Sequence, residues 1–196
     1  MVGRMDSGPQ KRCFSSSAWI FSLGMMLVLP GSGWSFAIEY RPGKLGDLWP
    51  ISKQTGSEFM NPLVGLDPQR FLVAQDETSE RIGWAQIKPI DENLYELSSV
   101  WVNPEYRHQG IGSSLVKNLL DQHVKRTGSR SNVYLVTLDS RAAWYKDQFG
   151  FEEVVDANDI PKSMSFEVSV GSAIAKGLMG TRLVCMRGTD REDAPQ

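Results

Sequence analysis

The order of segments along this chain predicts the α+β class, a mixed and largely antiparallel central sheet flanked by helices. Three observations carry that expectation. Two short apolar strands joined by a polar loop precede a third strand. The third strand runs into a glycine-bearing loop and an amphipathic helix. Beyond that helix the segments alternate as strand, helix, strand, which together fit a mixed sheet with helices on its faces. A length of 196 residues matches one domain of the usual ~100–200 residues, large enough to bury a core without staples.

Residues 1–37 differ in character from the rest. Arg4, Lys11 and Arg12 precede an apolar run from Ala18 to Leu29, followed by Pro30, Gly31, Ser32, Gly33 and Ser35. A basic flank, an apolar run and small residues after it match a signal-peptide layout, whose apolar region spans roughly 7–15 residues. The run is short against the ~20 residues that cross a bilayer. The expectation is a secretory leader cut ahead of Phe36. A Phe at that place also resembles the entry signals of complex algal plastids, although the usual transit segment does not follow. An uncleaved apolar anchor or a misjudged start codon, the latter leaving a cytoplasmic protein, is the alternative.

The folded domain is expected over residues 38–188. FAIEY (36–40) reads as a strand closed by Arg41-Pro42-Gly43, Lys44 to Thr55 as a helix interrupted at Pro50, and Gly56 to Asp67 as a loop punctuated by Pro62 and Gly65. Arg70–Gln75 and Arg81–Ile87 read as strands joined by the polar segment 76–80. Pro89 to Asn93 is expected to turn the chain into the central strand, Leu94–Val102, whose β-branched and aromatic residues include no Gly or Pro. Asn103-Pro104 ends that strand. From Ile111 the period becomes helical, with Ile111, Leu115, Leu119, Leu120 and Val124 on one face. A strand over 132–137, a helix over 142–149 and a strand over 151–155 follow. Residues 165–174 fit strand or helix equally, 182–186 form a last strand, and the charged tail from Arg187 to Gln196, of which 189–196 lie beyond the domain, is expected to be disordered.

Composition narrows the function. Apolar content of 41% and charged content of 22% are those of a soluble globular protein. A net charge of −2 with dispersed basic residues gives no support to nucleic-acid binding. Cys13 and Cys185 provide no disulfide framework or cysteine zinc site, and His108 and His123 make no metal cluster. Contact with a membrane is expected only through the N-terminal apolar segment, if it is retained.

The most informative stretch is Arg107-His108-Gln109-Gly110-Ile111-Gly112, between the central strand and the amphipathic helix. A helix N-terminus offers unsatisfied N–H groups and partial positive charge, and glycines let a ligand approach the backbone, so the junction suits a phosphate. A Walker loop needs a string that is absent here. A dinucleotide fingerprint starts correctly at Gly110 and Gly112 but meets Leu115 where a small residue is required. The remaining pattern, [RQ]-x-x-G-x-[GA] after V-x-P, is carried by Val102, Pro104, Arg107, Gly110 and Gly112, and it resembles the acyl-CoA loop of the GNAT superfamily of N-acetyltransferases. The downstream order, ending in Trp144-Tyr145 and Gly150-Phe151, resembles the second half of the same fold, and residues 38–187 can be laid on it.

That resemblance implies acetyl-CoA as co-substrate, no metal, and transfer of an acetyl group to a primary amine. It places the pyrophosphate on the backbone of His108, Gln109, Gly110, Ile111 and Gly112, with Arg107 adding charge. It places the pantetheine arm along main-chain groups of Val100 and Val102, with an N–H near Val100 as oxyanion donor. The base in this family is a carboxylate near the central strand. Glu96 is the candidate, against the alternative of a solvent-facing strand residue, and Asp139 is a second choice. The acid is a Tyr on the short helix. Tyr145 stands one residue from the usual spacing, a rotation of about 100°, so a packed aromatic is the competing reading. Trp84 and Trp101 are core or groove-wall aromatics. Residues 131–162 distantly resemble amino-acid N-acetyltransferases of the glutamate type, which favours a small amine or amino acid as acceptor over a peptide or protein. The rival function is a catalytically weak acyl-CoA-binding regulatory module.

Overall fold

Four antiparallel neighbours in sequence order, β1 (Glu39–Pro42), β2 (Phe71–Gln75), β3 (Arg81–Asp91) and β4 (Leu94–Val102), build one arm of a seven-stranded sheet. β5 (Val133–Leu138) runs parallel to β4. β5 and β6 (Phe151–Glu153) both pair antiparallel with β7 (Leu183–Gly188), which lies between them. The helices are α1 (Leu48–Ser57), α2 (Ile111–Thr127) and α3 (Asp139–Phe149), and residues 162–165, 168 and 171 are also helical. This computed structural model describes residues 37–57, 67–165, 168, 171 and 180–190, within a unit spanning Phe36–Gln196. The expected leader up to residue 36, the loop 58–66 and the tail beyond residue 190 lie outside the described residues.

The sheet is covered on both faces. On one, α2 contributes Ile111, Leu115, Val116, Leu119 and Leu120, and α3 contributes Tyr145 and Phe149, against Leu97, Ile82, Ala85, Val133 and Leu135. Each of the α2 side chains is nearly free of solvent contact, and burying one such group stabilises the fold by roughly 1.5–3 kcal/mol. The expected helical face is present from Ile111 to Leu120, with Val116 and His123 added to it, while Val124 is only partly buried. Buried His123 bridges α2 to the start of β5, its Nε2 2.8 Å from Asn132 Oδ1, and burial lowers its pKa. The other face carries two smaller clusters, Ile51 of α1 with Phe71, Val73 and Trp84, and Met164 with Tyr134 and Cys185.

Several boundaries differ from expectation for local reasons. Pro50 does not interrupt α1. It is the third residue of the helix, where a backbone N–H has no intrahelical partner to lose. β1 includes Pro42, tolerated because β1 is the sheet edge. β3 passes through Pro89 to Asp91 instead of turning there. β2 pairs no further than Gln86, and Pro89 borders a register shift, so the missing N–H falls where the ladder is one-sided and irregular. The turn itself is Glu92-Asn93, with Asn93 at φ 59°. α3 begins at Asp139, since a carboxylate is favoured in a first helical turn. The described residues of 165–174 are helical, which settles that ambiguity for them. β7 runs to Gly188, and Thr189 and Asp190 are held, the first by Gly150 O at 2.7 Å and the second by Arg130 N at 2.6 Å.

One irregularity shapes the site. Trp84 of β3 faces Trp101 of β4, and Gln86 faces Ser98, so two steps on β3 oppose three on β4. The extra residue is a β-bulge, marked by Ser99 at φ 54°. It inverts the alternation: Tyr95 and Leu97 point to the α2 face before it, Val100 and Val102 after it, while Trp101 joins the α1 face. Past the bulge β4 also leaves β5, which is in register with it only at Tyr95 and Glu96.

At the far edge, Asp47 ties β1, α1 and β3 together. Its carboxylate, 1% exposed, accepts from Arg41 Nη1 at 2.7 Å, Arg41 Nη2 at 3.1 Å, Lys44 N at 2.7 Å and Arg81 Nε. Burial opposes ionisation, but the hydrogen bonds from Arg41, Arg81 and Lys44 outweigh it and hold this carboxyl well below the ordinary 3.8. A depressed folded pKa stabilises the fold above the ordinary carboxylate pKa, and that contribution fades as pH falls from about 4 downward. Asp47→Asn is expected to cost about 2–3 kcal/mol at neutral pH, below the usual cost of breaking a buried pair because Arg81 is partly exposed. Urea melts of both proteins should show the difference shrinking below about pH 4; a constant gap would remove Asp47 from this role.

Candidate active site

The divergence of β4 from β5 leaves one edge of β4, from Ser98 to Val102, without a strand beside it among the described residues. Val100 and Val102 therefore occupy an open edge, as expected of main-chain groups that receive an extended ligand. At its far end the chain makes a tight turn, Pro104–Tyr106, where Asn103 accepts from Glu105 N at 3.2 Å. Tyr106 OH reaches Asp76 Oδ2 at 3.2 Å, tying this turn to the β2–β3 hairpin. Arg107 turns back, its Nε 3.0 Å from Val102 O, so this exposed side chain braces the loop to the strand.

The next residues are those that the sequence singled out as a phosphate cradle. His108 and Gly110 both adopt left-handed backbone, at φ 63° and 79°, a conformation that helps line up successive N–H groups in anion-binding loops. Gly110 is the N-cap of α2, and no side chain caps the first turn. Residues 107–110 are exposed while Ile111 is buried, so the helix start is fixed in the core and its N–H end faces outward. This gives a rigid positive terminus of a seventeen-residue helix (17 residues) at the mouth of the splay. A Cβ on Gly112 would sit 3.6 Å from Val102 Cγ2 and 3.9 Å from the Trp144 ring. Trp144 was not singled out in the sequence as a site residue, yet its indole borders this opening.

Of the two catalytic candidates, Glu96 is buried on the face opposite α2, with its side chain 8% exposed, and is therefore not a solvent-facing strand residue. Lys88 Nζ of β3 lies 3.1 Å from its Oε2. Cys185 lies close by on β7, its thiol pushed up to about 11 by burial and then by the charge of Glu96. Glu96 is also the last β4 residue in register with β5, which puts it at the apex of the splay.

Tyr145 belongs to the α2-side core instead. It is 8% exposed, and its ring packs against Trp144, Phe149 and Phe151. Burial pushes the phenol up to about 12, which keeps it protonated. The structure thus places Glu96 and Tyr145 on opposite faces of the sheet, with the packing that the competing reading of Tyr145 described. Asp139 is engaged elsewhere: it opens α3, accepts from Thr181 Oγ1, and is held below its usual pKa chiefly by that bond.

The α1 face beside Glu96 carries polar side chains that sequence reasoning passed over. Gln86, 2% exposed, donates from Nε2 to Ser99 Oγ at 3.3 Å, while its Oε1 takes no hydrogen bond. Ser98 Oγ and the indole nitrogens of Trp84 and Trp101 are likewise buried without partners. The two indoles stack with centroids 4.2 Å apart. Only the cross-strand register reveals this group, because Gln86 reads in sequence as a polar position of an ordinary strand and Lys88 as the residue after its end. An open cavity of ≈ 600 Å³, lined by Ser131, Tyr134, Glu152, Asp159, Arg187 and Asp190 among others, lies at the start of β5 beside β6 and β7 and includes none of these residues, although Tyr134 is the register partner of Glu96.

Comparison with known proteins follows this geometry. The model of the Acetyltransferase (GNAT) family matches residues 39–151. An uncharacterized N-acetyltransferase of the lysA 3′ region in Bacillus methanolicus is 42% identical over 55 residues, 28% of this chain and 44% of that protein. The N-acetylglutamate synthase of Neisseria gonorrhoeae, solved with coenzyme A and L-arginine, aligns with TM-score 0.52 and 17% identity, over 79% of this chain and 34% of that one. Rv2747 of Mycobacterium tuberculosis, solved in complex with CoA, aligns with TM-score 0.57 and 19% identity, over 76% of this chain and 98% of that one. At such identities the solved structures establish the fold, and the chain spans about a third of the synthase. The loop, the bulged strand and the matched span lead to one statement of kinship: this chain belongs to the acetyltransferase (GNAT) family.

Proposed function

We propose that the protein transfers an acetyl group from acetyl-CoA to the primary amine of a small molecule, an amino acid or a simple amine. The observation that carries this reading is the junction of an open β4 edge with an uncapped α2 N-terminus. An acyl-CoA needs such a pair, a strand edge for its amide-bearing arm and an N–H cradle for its pyrophosphate. Gly112 supports the fit, since a side chain there would fill the space between Val102, Trp144 and the helix end. Solved relatives whose names include coenzyme A share this fold, and the gonococcal synthase was also solved with N-acetyl-glutamate, at TM-score 0.56 and 13% identity.

In this reading each residue has a defined task. The N–H groups of residues 108–112 hold the pyrophosphate, and the β4 edge at Val100 and Val102 aligns the arm so that the thioester reaches the apex of the splay. Glu96 takes a proton from the acceptor ammonium, freeing its nitrogen lone pair. That nitrogen forms a bond to the thioester carbonyl carbon, and the Val100 N–H stabilises the negative charge that develops on oxygen. The carbon–sulfur bond then breaks as the nitrogen, now bonded to the carbonyl carbon, gives up its second proton, and that proton passes to the departing thiolate. Tyr145, kept protonated, is the nearest acid in chain position, but its packing among Phe149 and Phe151 favours a second reading as well, an acyl-CoA-binding module of weak or no turnover.

Two measurements separate these readings. Gly110→Leu should keep the fold, because residue 110 is exposed and a Cβ there meets open space, while calorimetric titration shows coenzyme A affinity reduced at least about tenfold, or about 1.4 kcal/mol. Unchanged affinity would remove the loop from coenzyme binding. Glu96→Gln should lower kcat for amine-dependent thiol release by about 100-fold or more with coenzyme affinity retained. Binding of acetyl-CoA by the parent without thiol release from any amine would favour the non-catalytic module.

A further inference from the structure

The acetyltransferase reading leaves open what chemistry the acceptor brings besides its amine. Lys88 and Glu96 face each other across β3 and β4 with their side chains 12% and 8% exposed and their charges 3.1 Å apart. Removing two opposite charges from water is costly, and a buried pair of this kind is a weak source of stability. Next to it toward the bulge stand Gln86 Oε1 and Ser98 Oγ, both buried and both without a hydrogen-bond partner. Gln86 and Ser98 are a register pair, one alternation along the same face from Lys88 and Glu96. Buried polar atoms are nearly always partnered, so unmet capacity of this kind marks a place for a ligand.

The inventory of this cluster is specific. It presents one ammonium, one carboxylate and two neutral acceptors in a patch at the apex of the splay. A primary ammonium carries three donors, which Glu96, Gln86 Oε1 and Ser98 Oγ can accept. The ammonium of Lys88 then remains for a negative group held close to that amine. An α-amino acid carries its ammonium and carboxylate on one carbon, opposite charges at the short separation this pair already has. Polyamines and simple amines would leave Lys88 without a partner once Glu96 turned to the substrate. We propose that the acceptor is a free α-amino acid whose carboxylate is bound by Lys88 while its amine is directed to Glu96, with Gln86 and Ser98 orienting that amine. This assignment rests on the acetyltransferase reading and gives it a substrate class.

The test is steady-state acetylation by the full chain of matched acceptors. These are phenylalanine with phenethylamine, leucine with isoamylamine, glutamate with 4-aminobutyrate, and the methyl ester of each amino acid. The parent should favour the free amino acids over amines and esters. Lys88→Gln should lower the amino-acid to amine ratio of kcat/KM by about 10- to 100-fold, mainly through KM for the amino acid, and Lys88→Arg should restore most of it. The ratio is the readout because loss of Lys88 also changes the surroundings of Glu96 and so the rate on every acceptor. Coenzyme affinity and thermal midpoint, measured on the same variants, identify any variant that has lost its fold, and Lys88→Arg then carries the comparison against the parent. Preference of the parent for acceptors without a free α-carboxylate would overturn this proposal and leave the acetyltransferase reading in place. A ratio unchanged in Lys88→Gln would do the same. Coenzyme binding without turnover of any amine would overturn both.

Discussion

A single extra residue in β4 organises this molecule. With Ser99 in left-handed backbone, β4 reverses the faces of everything after it and turns away from β5. A regular strand would have kept Val100 on the same face as Glu96 and Ser98, and would have gone on pairing with β5. The bulge instead delivers Val100 and Val102 to the α2 side, Trp101 to the α1 side, and an unpaired stretch of backbone between them. Non-glycine residues in this conformation cost free energy and persist where surrounding structure holds them. Here the hold includes the Trp84–Trp101 stack on one side of the bulge and the bond from Gln86 to Ser99 Oγ at it.

Two buried carboxylates on this sheet are handled in opposite ways. Asp47 is enclosed by two arginines and a backbone N–H, all aimed at it, and links three elements at the sheet edge. Such a group is fixed in one ionic state and one geometry. Glu96 sits beside a lysine and near polar atoms whose bonding capacity is unmet. The first arrangement serves the fold alone. The second retains capacity that a packed strand pair would not need, at the point where the sheet opens.

How much of this was legible in the sequence depends on the range of the interaction. The loop from Arg107 to Gly112 and the face of α2 were readable because their signals are local: glycine spacing, a helical period, an Asn-Pro stop. Glu96 was singled out because it lies on the strand leading to that loop. The bulge was not, since Ser98-Ser99 carries no glycine, and the feature exists only as a mismatch between two strands. Lys88, Gln86 and Trp144 were missed for the same reason, each acquiring its meaning from a neighbour distant in the chain. The extension of β3 through Pro89 shows the converse error: the rule that proline ends a strand assumes a neighbour on both sides, and there β2 has already ended.

The position of β7 has a consequence for how the chain comes together. β1 to β4 and α2 are near neighbours in sequence, so this arm can pair as it is made. The other arm cannot, because among the described residues β6 pairs only with β7, and residues 154–182 intervene before β7 is reached. Until then β5 presents a bare edge and α3 lacks half of what it packs on. Long-range pairing of this kind is slow and exposes strand edges while it waits. On the ribosome, the domain stays unsealed until Leu183–Gly188 has left the exit tunnel. A truncation that removes the last strand would therefore strip away the wedge holding two other elements, with an effect far larger than its length suggests.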